Sequence, residues 1–153
     1  MTDAIQQFWK LVDTASEADS RPDSSGCPTL EPFCRQMIVL IHNNPNMRES
    51  FAEAIWELYE KPERGPWEIV SYLIHSLRWY ELKPRFLESH ADAIKTSNWR
   101  AEPVARYVLE AFEDEWADSI LWDYFRNENN GMGPNQGADR TGASLRDSPA
   151  GQP

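Results

Sequence analysis

Residues 111–125, AFEDEWADSILWDYF, hold five carboxylates and five aromatic rings, and no Lys or Arg falls between Arg106 and Arg126. Four kinds of chemistry fit so dense a run. It can be a solvated face of an acidic protein, which is what charge runs usually are. It can dock a basic protein, with carboxylates steering the encounter and a large ring serving as anchor. Asp114, Glu115 and Asp118 supply oxygens of the kind that hold a hard cation, although no EF-hand register is present and no His is near. Paired carboxylates can also do acid/base work, but only where their surroundings split their pKa values, and nothing in the sequence supplies that split.

At about 100° per residue, a helix starting near Glu115 turns Trp116, Ile120, Leu121, Tyr124 and Phe125 toward a core. Asp118 then sits at the edge of that arc and Trp122 outside it, so an exposed ring stands one turn from a carboxylate. Glu110, Glu113 and Asp114 cluster just upstream. The docking surface expected on this reading is Glu110, Glu113, Asp114, Glu115, Asp118 and Trp122.

The remaining reactive types make no signature. His42, His75 and His90 form no HExxH or HxxxH pair and flank no nucleophile motif. Cys27 and Cys34, in CPTLEPFC, match no zinc or redox spacing and read as two free thiols. There is no phosphate loop, GxSxG elbow, CxxC or dinucleotide fingerprint, so no catalytic residue, metal or cofactor is assigned.

Charge narrows the partners. A chain of 153 residues with net charge −10 is a poor match for a nucleic-acid backbone or an anionic membrane surface, which select basic patches. A basic protein fits better. The opening MTDAIQQFWKLV lacks the basic segment and long apolar run of a signal peptide, and the longest apolar run, MIVLI at 37–41, cannot span a bilayer. The expected location is the cytoplasm.

The elements that must position these groups read as helices throughout. Ile5, Phe8, Trp9 and Val12 follow i, i+3, i+4, i+7 behind Thr2, a residue type that caps helix N-termini. ADSRPDSSGCP at 18–28 reads as a loop. A second helix is predicted over Thr29–Asn43, apolar on so many sides (Phe33, Cys34, Met37, Ile38, Val39, Leu40, Ile41) that it should be the central one. NNPN opens a third helix that ends near Glu60, with Met47, Phe51, Ala54, Ile55 and Leu58 inward. KPERGP leads to a fourth, carrying Trp67, Val70, Ile74 and Leu77. A fifth is predicted over 81–95, with Leu82, Phe86 and Ile94 inward, a sixth over 101–112 and a last from Glu115 to Arg126. Arg78–Trp79 and Asn98–Trp99–Arg100 fall at helix junctions, where a guanidinium can stack on a ring or hold a carboxylate such as Glu81. No period-two alternation is sustained. The expectation is an all-α domain over 1–126, a bundle or irregular stack of about seven antiparallel helices, followed by a disordered tail over 127–153.

PWEIVSYLIHSLRWYELKPRF followed by ARYVLEAFEDEW resembles small, acidic, all-helical bacterial proteins of the immunity type, encoded beside polymorphic or contact-dependent toxins. The resemblance covers roughly residues 45–125. It implies a cytoplasmic protein, not an enzyme, that binds and neutralises a cognate toxin domain. Two other readings stay open: a regulatory or adaptor module using an apolar helix face, and a metal-dependent enzyme with dispersed ligands.

Overall fold

The helical spacing of the apolar residues is realised almost everywhere. A computed structural model describes residues 2–126. The chain divides into two compact units, Met1–Ala117 and Asp118–Pro153. The first carries six α-helices: α1 (Thr2–Asp19), α2 (Cys27–His42), α3 (Arg48–Glu60), α4 (Trp67–Leu77), α5 (Lys83–Lys95) and α6 (Ala101–Glu110). Short 3-10 turns at Pro45–Met47 and Tyr80–Leu82 lead into α3 and α5. The described residues contain no strand, so the architecture is all-α. None of the helices is long and apolar enough to cross a membrane, among the described residues. The expected tail at 127–153 and the Thr2 side chain lie outside them.

The expected centre at α2 is corrected: α4 holds that place. Seven consecutive residues, Ile69 to His75, are buried, and α4 packs on α2, α3 and α6. On α2, by contrast, Val39 is 58% exposed and Ile38 and Leu40 are half-buried. Its neighbours α1 and α4 cover one side only, where Leu30, Cys34, Met37 and Ile41 are buried. The two outer hairpins are α1–α2 and α5–α6. On α5, Ala93 is buried where Ile94 had been expected, and Ile94 is 51% exposed.

Capping explains several boundaries. α2 starts at Cys27, not Thr29; Gly26 stands at its N-cap with φ 74°, and Thr29 Oγ1 accepts the Ser25 N–H at 2.7 Å. Pro28 fills the first turn, where a missing N–H costs nothing. α4 ends on Arg78 in the left-handed region, φ 57°. The α3–α4 link runs close against α1: Ser16 Oγ donates to the Arg64 carbonyl at 3.1 Å, and Gly65 sits where an added Cβ would come within 2.8 Å of Ser16 Oγ.

One device recurs between elements. Arg64 lies 4.0 Å over the Trp9 ring and pairs with Asp13, both on α1. Arg85 of α5 lies 4.4 Å over Trp56 and pairs with Glu53, both on α3. Arg48 of α3 lies 4.5 Å over Trp79 and grips Glu81 with two hydrogen bonds of 2.9 Å. In each clasp the ring and the carboxylate come from one segment and the guanidinium from another. A planar cation can stack on a π-face while its edge holds the acid, so two elements are fixed at once.

Candidate functional site

The acidic run is an exposed bow strung between buried anchors. α6 ends at Glu110, and successive tight turns follow, with Ala111 N–H on the Val108 carbonyl and Phe112 N–H on that of Leu109. Ala111, Phe112 and Trp116 are buried, while Glu113, Asp114 and Glu115 are exposed between them. The anchors meet the C-terminal end of α4. His75 donates Nδ1–H to the Ala111 carbonyl at 2.9 Å, and its ring lies 4.9 Å from that of Trp116. Phe112 packs against Phe86 and Tyr80, with centroids 5.9 and 6.2 Å apart. Hydrophobic anchoring therefore decides where the carboxylates stand, and α6's C-terminal carbonyls add partial negative charge beside Glu110.

Two cations temper that charge. Arg78 pairs with Asp114 at 2.6 Å, and it also donates to the His75 carbonyl at 2.7 Å and the Tyr80 hydroxyl at 3.1 Å. The Tyr80 contact first, then Asp114, raises the Arg78 pKa above its ordinary value against the opposing effect of burial. Lys83 approaches Glu113 at 3.8 Å. These are surface pairs, worth about 0–1 kcal/mol each, and Asp114 remains 88% exposed at its side chain. Glu110 and Glu115 have no ion-pair partner among the described residues. The guanidinium over Trp79 and on Glu81 is Arg48, not the adjacent Arg78 that sequence proximity had suggested.

The expected helix from Glu115 to Arg126 is corrected. A 3-10 helix runs over Ala117–Leu121, and one helical turn follows at 123–126. Three residues per turn replace 3.6, so burial recurs at Trp116, Ser119, Trp122 and Phe125. Trp122, expected as an exposed anchor, is only 1% exposed, and Ile120, Leu121 and Tyr124 face outward instead. Asp118, in the second unit, is half-buried. Arg126 pairs with Asp123 and donates to the Ile120 carbonyl.

Of the six residues predicted for docking, Glu110, Glu113, Asp114 and Glu115 therefore form one exposed segment of the first unit. The exposed ring beside them is Tyr80, bonded through its hydroxyl to the same Arg78 that holds Asp114. Sequence reasoning passed over it. The signal was its place directly after Arg78–Trp79, where a helix ends.

Chain comparisons identify no relative. No family model, curated protein or solved structure matches this chain.

The histidines stand apart. His42 is exposed, His75 is held on Ala111, and His90 donates Nε2–H to Glu102 at 2.8 Å. That His90 hydrogen bond and the Arg106 guanidinium lower the Glu102 pKa. Among the described residues no three His, Cys, Asp or Glu side chains converge as a metal site. Neither Cys27 nor Cys34 is joined in a disulfide among the described residues; burial pushes the Cys34 thiol well above its ordinary pKa, with Glu31 adding to the shift.

Proposed function

We propose that this chain is a protein-binding module without chemistry of its own: an immunity-type protein of the bacterial cytoplasm that neutralises a basic toxin domain. The observation that carries the reading is the segment Glu113–Asp114–Glu115, held out to solvent between the buried Phe112 and Trp116, with Tyr80 exposed beside it. A basic enzyme that grips a polyanionic substrate offers the charge that this segment complements. Tyr80 gives the contact an apolar centre, and tyrosine is among the residue types enriched at binding hot spots. Blocking is then electrostatic and steric.

The test is binding to the protein encoded by the neighbouring gene, by calorimetry over a range of salt. Affinity should fall as salt rises. The combined Asp114→Lys and Glu115→Lys variant should weaken it on the order of tenfold or more, as should Tyr80→Ala. Affinity untouched by salt and by both variants, or a neighbour whose toxicity the chain does not relieve, refutes the reading.

A second reading rests on α5, where Leu87 and Ile94, two turns apart, are each half or more exposed. An adaptor that self-associates through this face would show a concentration-dependent mass in light scattering, insensitive to salt.

A further inference from the structure

Residues of α3, α4, α5 and α6 line an open cavity of about 440 Å³. Its walls combine two kinds of chemistry. Tyr59, in the last turn of α3, and Trp67, the first residue of α4, supply aromatic surface. Trp67 stacks on Tyr107 with centroids 5.4 Å apart and planes inclined by 16°, which fixes its orientation. Tyr59 is wedged against Trp56 and Phe86 at 5.1 and 4.8 Å, and its hydroxyl shares a 2.8 Å hydrogen bond with Ser89 Oγ. Burial raises the Tyr59 pKa above its ordinary value.

The polar lining carries one charge of each sign. Glu60 ends α3 and Arg100 stands at the N-cap of α6. Neither has an ion-pair partner among the described residues, although most of the other described arginines do. The helix termini reinforce the separation. The carbonyl end of α3 favours a cation beside Glu60, and the N–H end of α6 favours an anion beside Arg100. Asn98 sets the entry to α6 by accepting the Ala101 N–H on Oδ1 at 3.1 Å. A simple anion would satisfy Arg100 but be repelled by Glu60, and a simple amine would face the reverse problem. A zwitterion with a flat apolar side chain answers both charges and the rings. The volume lies toward the lower end of small-ligand sites, which suits one residue and not a peptide.

We propose that this cavity binds a free aromatic amino acid, its carboxylate on Arg100, its ammonium on Glu60 and its ring against Trp67 and Tyr59. The assignment does not rest on the protein-binding reading and uses none of its residues.

The test is calorimetric titration of the full chain with L-phenylalanine, phenylacetate, which lacks the ammonium, and phenethylamine, which lacks the carboxylate. L-Phenylalanine should bind on the order of tenfold more tightly than either fragment, because each adds a charge-assisted contact. Arg100→Gln should weaken L-phenylalanine and phenylacetate while leaving phenethylamine unchanged, and Glu60→Gln should weaken L-phenylalanine and phenethylamine while leaving phenylacetate unchanged. Both side chains lie at the surface, and circular dichroism would verify that each variant keeps its helix content. No binding of L-phenylalanine up to ~10 mM, equal binding of all three ligands, or affinities indifferent to both substitutions would overturn the assignment.

Discussion

Replacing Gly65 by Ala separates two opposed effects at the contact between α1 and the α3–α4 link. Gly65 does not sit at positive φ, so its backbone accepts an alanine. With open space around it, the change would stabilise the fold by about 0.4–1 kcal/mol through the unfolded chain's lost freedom. The space is not open. The new methyl would meet Ser16 Oγ at 2.8 Å, Val12 Cγ1 at 3.1 Å and Leu58 Cδ1 at 3.3 Å. Ser16 can rotate away only by giving up its hydrogen bond to the Arg64 carbonyl, a loss of about 1 kcal/mol. Val12 and Leu58 are core residues whose displacement adds overpacking, typically ~1–3 kcal/mol. Packing wins, and Gly65→Ala should destabilise by roughly 1–3 kcal/mol. Urea denaturation followed by circular dichroism reads this as a lower midpoint at unchanged slope. In a Ser16→Ala background the hydrogen bond and the closest contact are already gone, so the same substitution should cost about 1 kcal/mol less. A gain in stability, or a cost identical in both backgrounds, refutes the reasoning.

Three further outcomes are expected. Phe86→Ala, which empties a site bordered by Trp56, Tyr59 and Phe112, should cost about 3–5 kcal/mol in the same denaturation assay. Because His90 and Arg106 hold Glu102 below the usual carboxylate range, its contribution is present above the unfolded pKa and lost as pH falls through the folded one. Urea midpoints against pH should therefore show an acid-side decline that Glu102→Gln reduces. A disulfide reagent should label Cys27 readily in the native state and Cys34 only on unfolding, as mass spectrometry of digested protein would show.

Where burial follows the helical period, the sequence was enough. Phe51, Ala54, Ile55 and Leu58 of α3, and Val70 and Ile74 of α4, are buried as their spacing predicts. The central helix was misplaced because α2 has more apolar residues on more sides, yet exposure of Val39 depends on which helices arrive next to it, a non-local fact. The Trp122 error has a sharper cause. A rotation of 100° per residue was assumed across Ala117–Leu121, a 3-10 segment that turns by about 120°, and the accumulated difference of roughly 100° carries Trp122 off the outward side. Local charge was legible, since Glu113, Asp114 and Glu115 are exposed. The cations opposite them, Arg78 and Lys83, are some thirty residues distant in the chain, and no spacing rule connects them.

The three arginine clasps also bear on how this sequence can drift. A lysine at position 48, 64 or 85 keeps the charge but lacks the plane that lies on the indole, and an indole left without its guanidinium becomes bare greasy surface. Trp9 with Arg64, Trp56 with Arg85, and Trp79 with Arg48 each depend on both members being present. In any descendant of this chain, the loss of one member should soon be followed by the loss of the other.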